Sequence, residues 1–516
     1  IQTLQYCFVI VGLFLAGCSS KEHDAVVARI GDKPITLKEY EDLYIKSNGS
    51  REIGTKSTQE EREKFLELVT KFKLKLTDAY NQGLNKKPEL LAEIDQYKSS
   101  LASSFLTDRE ITGPGAKQMF EHRRNEYRAS HILISLGQTP TQEDSIAGYA
   151  KADSVIAKLK AGAKFDSLAL GYSQDPSVSQ NRGDLYYFTA GQMVPPFEDA
   201  VFTMLVGAFS QKPVRTQFGL HIIKLMDKKI ARGEIKCSHI MIRFDKQDPT
   251  PEDTVAAYEK IKAIQDSLKM GLDFAELAQR NSGDPGSAAK GGDLGWFQRR
   301  RWIQSFDEVA QTLKPGELSS IVRTIYGYHL IKCYEERPPK TFEEAKKDIQ
   351  QLYQQTRFTE DYKDYFQKLQ KRMQYKLHDD MLVRFIAACD SNKTTKDSAW
   401  WSSIPKEVGS VALISFGQRS VPVDSMVKLI NARPDFNNTP LRDPGIRNMV
   451  DKIGESLVFA VRAETLVKDS PEFGAIMKEY TDGILLYQVE QDRVWNSVSV
   501  NDSLLKRYFN NNREKF

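Results

Sequence analysis

The chain has 516 residues, of which 28% are charged and 40% apolar, with a formal net charge of +4. That length is too great for one hydrophobic core and calls for about three or four domains. Charges of both signs are interleaved and no basic arm is present, which argues against a nucleic-acid partner.

The longest apolar run, residues 6–16, is too short to span a bilayer and leads into Leu15-Ala16-Gly17-Cys18. An apolar stretch closing on small residues is the pattern of a secretory signal. Those four residues resemble the lipobox of bacterial lipoproteins, which implies lipidation at Cys18 and a lipid anchor instead of a span. Residues 1–18 are therefore expected to be a signal segment, its basic start missing. A cleaved signal with an incidental Cys and a short buried helix are the other readings.

Residues 24–128 are expected to form a mainly helical module. Residues 29–37 predict a strand, a tight turn at Gly31, a short strand and then a helix. Residues 60–81 and 88–109 predict helices. Leu66, Val69, Phe72, Leu76 and Tyr80 recur at helical spacing; such a stripe lines either the core or a client groove, and core is the default.

A repeat follows. Ser130-His131-Ile132-Leu133 recurs as Ser238-His239-Ile240-Met241, and Gly219-Leu220-His221 recurs as Gly327-Tyr328-His329, each 108 residues later. Between them Ser173-Gln174-Asp175-Pro176 recurs as Ser282-Gly283-Asp284-Pro285, and Gly183-Asp184-Leu185 as Gly292-Asp293-Leu294. Two α+β units, 129–229 and 234–337, are thus expected in tandem, a normal domain size. Each predicts a strand (131–136, 239–244), a long helix (146–159, 255–268) and a short helix (165–169, 274–278). Loops at the Asp-Pro and Gly-Asp stretches follow, then a closing strand (221–225, 329–333). Residues 341–372 are helical by pattern, and 338–380 are expected to complete the first helical module. Residues 415–423 repeat the pattern of 29–37, so 405–516 are expected to be a second such module, ending where another unit would start.

The tandem motifs resemble the parvulin family of peptidyl-prolyl cis/trans isomerases. The wider order resembles SurA-type chaperone-isomerases, with PrsA and PpiD as relatives. The resemblance implies an α+β fold of two parvulin domains, each a small antiparallel sheet with surrounding helices, flanked by mainly helical SurA-like chaperone modules. It implies a polar network of His131, Asp175, His221 and Thr216 in the first domain, and of His239, Asp284, His329 and Thr324 in the second. The prolyl-binding residues carried over are Leu185, Phe188, Met193 and Phe197, and then Leu294, Phe297, Trp302 and Phe306. A structural bridge between strands is the alternative role for the imidazoles; core packing is the alternative for Phe197 and Phe306.

Twisting an X-Pro bond needs a pocket that favours the twisted amide, with no cofactor and no metal. Expected partners are unfolded or nascent exported polypeptides with X-Pro bonds, a membrane reached through the N-terminal lipid, and outer-membrane assembly machinery. The expected location is the cell envelope, at the periplasmic side of the outer membrane or on the surface. The alternative function is a non-catalytic peptide-binding chaperone, or a docking subunit of an outer-membrane assembly or secretion machine. Two departures from the family pattern stand out. Arg182 and Tyr186 fill glycine positions in the first domain, and Trp302 replaces a pocket Met in the second; the first domain is expected to be the better isomerase. Residues 137–144 lack clustered Arg and Lys, so no phosphorylated substrate is required. A zinc set of Cys237, His239, His329 and Cys333 is a rival reading, but the first domain keeps its His pair without either Cys. A Cys237–Cys333 disulfide stays open.

Overall fold

The computed structural model describes residues 25–246, 248–497 and 501–515. Cys18 lies outside the described residues. Packing divides the chain into two units, one comprising residues 106–372 and the other the remainder on either side. The division falls inside the segments expected as helical modules, at 105/106 and 372/373.

In the unit 106–372 both repeats fold alike. The first repeat supplies β1 (Asn125–Ser135), β2 (Asp184–Phe188), β3 (Val214–Thr216) and β4 (Gly219–Ile230). The second supplies β5 (Glu234–Arg243), β6 (Asp293–Phe297), β7 (Val322–Arg323) and β8 (Gly327–Arg337). Each set forms a four-stranded sheet, in the orders β2-β1-β4-β3 and β6-β5-β8-β7, with every neighbouring pair antiparallel. β1 begins well before the apolar run at 131, because 125–128 pair by backbone with 227–230. Such a pairing needs no side-chain alternation. The stretch after each Gly-Asp, expected as loop, is an edge strand: β2 and β6 are short and half-exposed, so their apolar signal is weak.

Side chains alternate across the sheet. Ile132, Ile134, Leu220 and Ile222 face one way, onto the helices Gln142–Lys160 and Phe165–Tyr172. Ala129, Ile223 and Leu225 face the other way, with Phe197 and Val201 of α1 (Pro195–Thr203). In the second repeat Cys237, Ile331 and Cys333 pack with Phe306 of α2 (Gln304–Ala310). The stretch 341–372, expected as continuous helix, is two helices, Phe342–Thr356 and Phe358–Arg372, because Arg357 leaves the helical region at φ −132°. Its guanidinium ties instead to Asp199 and Asp361. The first of these helices packs through Ala345, Ile349 and Tyr353 on Ile111, Ala116 and Met119.

In the other unit, residues 26–36 form the expected strand, turn and strand, with Gly31 at φ +60°. Residues 412–422 do the same around Gly417 at φ +54°. The helix Gln59–Asn81 starts at a Thr58–Glu61 capping box that satisfies two of its free amides. Its stripe is core in part: Val69 and Leu76 are buried, with Phe72 packed beside Leu76 against Leu485 and Val489 of the helix Pro471–Arg493, whereas Tyr80 is exposed and donates to Asp482 at 3.0 Å. Among the described residues no helix is long and apolar enough to cross a membrane.

Candidate functional site

His131 and His221 stand on the neighbouring strands β1 and β4, His131 opposite Ile223 and His221 opposite Leu133. They are diagonal neighbours on one face, so their rings meet. Nδ1 lies 3.1 Å from Nδ1, and both residues are buried. His131 Nε2 lies 2.9 Å from Asp175 Oδ2, and His221 Nε2 lies 2.8 Å from Thr216 Oγ1. The second repeat copies this. His239 and His329 meet at 3.3 Å, His239 Nε2 lies 2.8 Å from Asp284, and His329 Nε2 lies 2.9 Å from Thr324.

This chain of contacts fixes the protons. Burial alone would raise Asp175, but hydrogen bonds from Ser177 and the neighbouring His131 overcome it and hold the carboxyl below its usual value. As a carboxylate it only accepts, so His131 donates from Nε2. Burial lowers His131, and as a neutral ring it then accepts at Nδ1. His221 therefore donates from Nδ1 and accepts the Thr216 hydroxyl at Nε2. Burial and then the neighbouring His131 push His221 down to about 4; burial and His239 push His329 down to about 3. Both imidazole pairs are neutral at pH 7.

The Gly-Asp-Leu motif seats the edge strand on the first histidine. His131 N–H donates to the Gly183 carbonyl at 2.8 Å. Gly183 holds φ +83°, and a Cβ there would collide with the His131 carbonyl oxygen. Asp184 accepts from Arg128 Nε at 3.0 Å and from the Tyr186 amide at 2.9 Å. Next to the imidazoles stands an apolar patch. Phe197 presents its edge to His131 and His221, at centroid distances of 6.0 and 5.5 Å. Phe188 is buried against Phe197, and the half-buried Leu185 and Met193 pack on them. In the second repeat Phe306 holds the same place against His239 and His329. Trp302 packs perpendicular to Phe297 and tilted against Phe306, with centroid distances of 6.0 and 5.9 Å, and its indole Nε1 is buried without a hydrogen-bond partner. The sixteen residues that the resemblance assigns to the polar networks and prolyl-binding patches thus fall into two eight-residue clusters.

Residues 117–229 match a family model described as a PPIC-type PPIASE domain, and residues 239–335 match a second model with that description. The chain carries two PPIC-type parvulin domains. The chain is 33% identical over 261 residues to the chaperone SurA of Nitrosococcus oceani, covering 48% of this chain and 57% of that protein. It is 33% identical over 267 residues to the chaperone SurA of Chromohalobacter salexigens, covering 50% and 59%. It therefore spans less than two thirds of the length of either relative. Among solved structures it is similar to NmPin, the parvulin of Nitrosopumilus maritimus, at 37% identity over 20% of this chain and 97% of that one, with a TM-score of 0.16.

The parvulin domains also hold groups that the motifs did not reveal. Ser177 donates to Asp175 at 2.6 Å, and Ser287 bonds Asp284 at 2.5 Å while lying 3.0 Å from His239 Nε2. Glu198, 2% exposed, accepts the amides of Gly191, Gln192 and Met193 at 2.8, 3.0 and 3.0 Å and so shapes the loop that carries Met193. The repeat carries its signal: Glu198 aligns with Asp307 just as Phe197 aligns with Phe306. The filled glycine positions keep a left-handed backbone, with Arg182 at φ +54° and Tyr186 at φ +60°. Cys237 and Cys333 are directly opposite each other on β5 and β8, as free buried thiols. Among the described residues no group of three or more His, Cys, Asp or Glu is placed to hold a metal ion.

Proposed function

We propose that both parvulin domains bind X-Pro segments of unfolded polypeptides and catalyse their cis/trans isomerisation, and that the chain serves as a chaperone for exported or outer-membrane proteins. The observation that carries this reading is the neutral imidazole pair, tied to one carboxylate and set beside an aromatic-floored apolar patch, built twice in one chain.

The barrier to rotating an amide is about 18–20 kcal/mol, and it comes from resonance that places negative charge on oxygen and positive charge on nitrogen. Twisting removes that charge separation. A dry apolar patch therefore stabilises the twisted amide relative to the planar one. Leu185, Met193 and Phe197 grip the pyrrolidine ring, and Leu294, Trp302 and Phe306 do so in the second domain. Phe188 and Phe297 floor the two patches. The network of His131, His221, Asp175 and Thr216, and that of His239, His329, Asp284 and Thr324, hold fixed dipoles against the amide without adding net charge there. No covalent step occurs.

In the second domain the bulky indole of Trp302 packs into the patch where the first domain has Met193, which supports a mainly binding role for that domain and favours the first as the better isomerase. The helical stretches expected as 24–128 with 338–380, and 405–516, are the chaperone part of this proposal, with residues 25–105 and 373–515 packing in one unit. Cys18 is its lipidation site, with the periplasmic face of the outer membrane as the location and the outer-membrane assembly machinery as a partner. The test is a proline-isomerisation assay on the chain from residue 19 onward, run beside suppression of client aggregation. Isomerisation by that fragment supports the enzymatic reading. Aggregation suppression without isomerisation would leave the peptide-binding chaperone in its place.

A further inference from the structure

Two departures from the repeat meet at one contact. Tyr186 takes the place that Gly295 holds in the second domain, and Arg300 takes the place that Gly191 holds in the first. All four have left-handed backbones: φ is +60° and +67° for the first pair, +68° and +85° for the second. Glycine adopts that conformation freely, whereas a side chain there is strained. Each domain therefore bears backbone strain at a position where its sister bears none, and both strained side chains cross to the other domain.

The Tyr186 hydroxyl donates to Asp307 Oδ2 at 2.8 Å. Asp307 is completely buried, and its other oxygen accepts the Arg300 amide at 3.1 Å. Arg299 donates to the Tyr186 hydroxyl and, through Nε, to Glu126 at 2.6 Å. The Arg300 guanidinium donates to the carbonyls of Leu185 and Tyr187 at 3.0 and 3.2 Å. In the first domain Glu198 fills the Asp307 position and spends its carboxylate on its own loop. In the second domain part of that capacity goes across the domain boundary instead.

Leu185 and Tyr187 belong to β2, the strand that carries the lip of the first prolyl patch. We infer that Tyr186, Arg299, Arg300 and Asp307 are positioning residues through which the second domain completes the substrate lip of the first. This inference rests on the isomerase reading above. The favoured ligand remains an X-Pro segment; what the second domain supplies is the placement of Leu185.

The experiment uses the full chain with Leu294→Glu, which puts a carboxylate into the second patch and leaves the first to be read alone. Arg300→Gly restores the residue of the sister domain, and Tyr186→Gly does the same on the other side, so both backbones remain accessible. Each variant is expected to raise KM for an X-Pro peptide about three- to tenfold, the equivalent of one or two lost hydrogen bonds, with kcat changed by less than about twofold. Arg300→Lys, which keeps a donor, is expected to fall between. Thermal unfolding is followed in parallel. An unchanged KM in both glycine variants overturns the inference. So does a parallel fall of kcat, KM quality and melting temperature, which marks general loosening. Absence of turnover in the parent defeats the isomerase reading. The same comparison is then made on the Kd of a fluorescent X-Pro peptide, and equal Kd values across the variants would overturn the positioning role independently.

Discussion

Acidification is the perturbation whose effect on these domains follows most directly from the buried histidines. Burial and the neighbouring His131 hold His221 at about 4 in the folded chain, against roughly 6.5 for an unfolded histidine. As pH falls, the unfolded chain therefore takes up the proton first. Stability contributed by His221 is complete above about pH 6.5 and drains away as pH drops toward about 4. At pH 4.5 the difference amounts to about 2–3 kcal/mol for His221, and His329, held at about 3 in the second domain, loses a similar amount. The assay is pulse proteolysis across a urea series at pH 7 and pH 4.5, reading survival of the segment 125–230. His221→Gln keeps a donor toward His131 but removes the titration. The pH-dependent loss in the parent is predicted to exceed that in the variant by about 2–3 kcal/mol. Equal losses in both proteins would refute the claim that a neutral, desolvated imidazole pair sits in the first domain.

Trp302→Met, read in an Asp175→Ala background, is expected to raise kcat/KM of the second domain about three- to tenfold, since it restores the residue type at Met193 and uncovers the patch; no gain in a peptide assay would count against a blocking indole. Glu198→Ala strips the acceptor from three amides and is expected to destabilise the first domain by about 3 kcal/mol in urea titration, with Glu198→Gln milder. Ser-Pro and phosphoserine-Pro peptides are expected to be turned over at similar rates, because residues 137–144 carry no Lys or Arg; a strong preference for the phosphorylated peptide would contradict that.

The imidazole–carboxylate half of each candidate site was legible because its residues sit in motifs spaced alike in both repeats. A histidine pair on adjacent strands needs only the right register, and the repeat itself argued for one. The supporting half was hidden. Ser177 and Ser287 look like ordinary loop serines, and Glu198 and Asp307 look like surface acids of short helices until their burial is seen. The edge strands β2 and β6 escaped notice because half-exposed five-residue strands beginning at Gly-Asp carry turn chemistry and little alternation. The break at Arg357 is a tertiary effect: its guanidinium serves Asp199, more than 150 residues away in sequence, and no local propensity announces it. Tyr186 was visible as a departure from the family pattern, yet its purpose was not, since the partner Asp307 belongs to the other domain.

The most direct test of the central claim is the exchange rate between cis and trans forms of an X-Pro peptide, measured by NMR without a coupled protease. The parent chain is predicted to accelerate exchange, and the combined His131→Ala and His239→Ala variant to lose at least about 90% of that acceleration while remaining folded. Undiminished acceleration by the folded variant would contradict a role for the paired imidazoles, and no acceleration by the parent would contradict the assignment of isomerase activity.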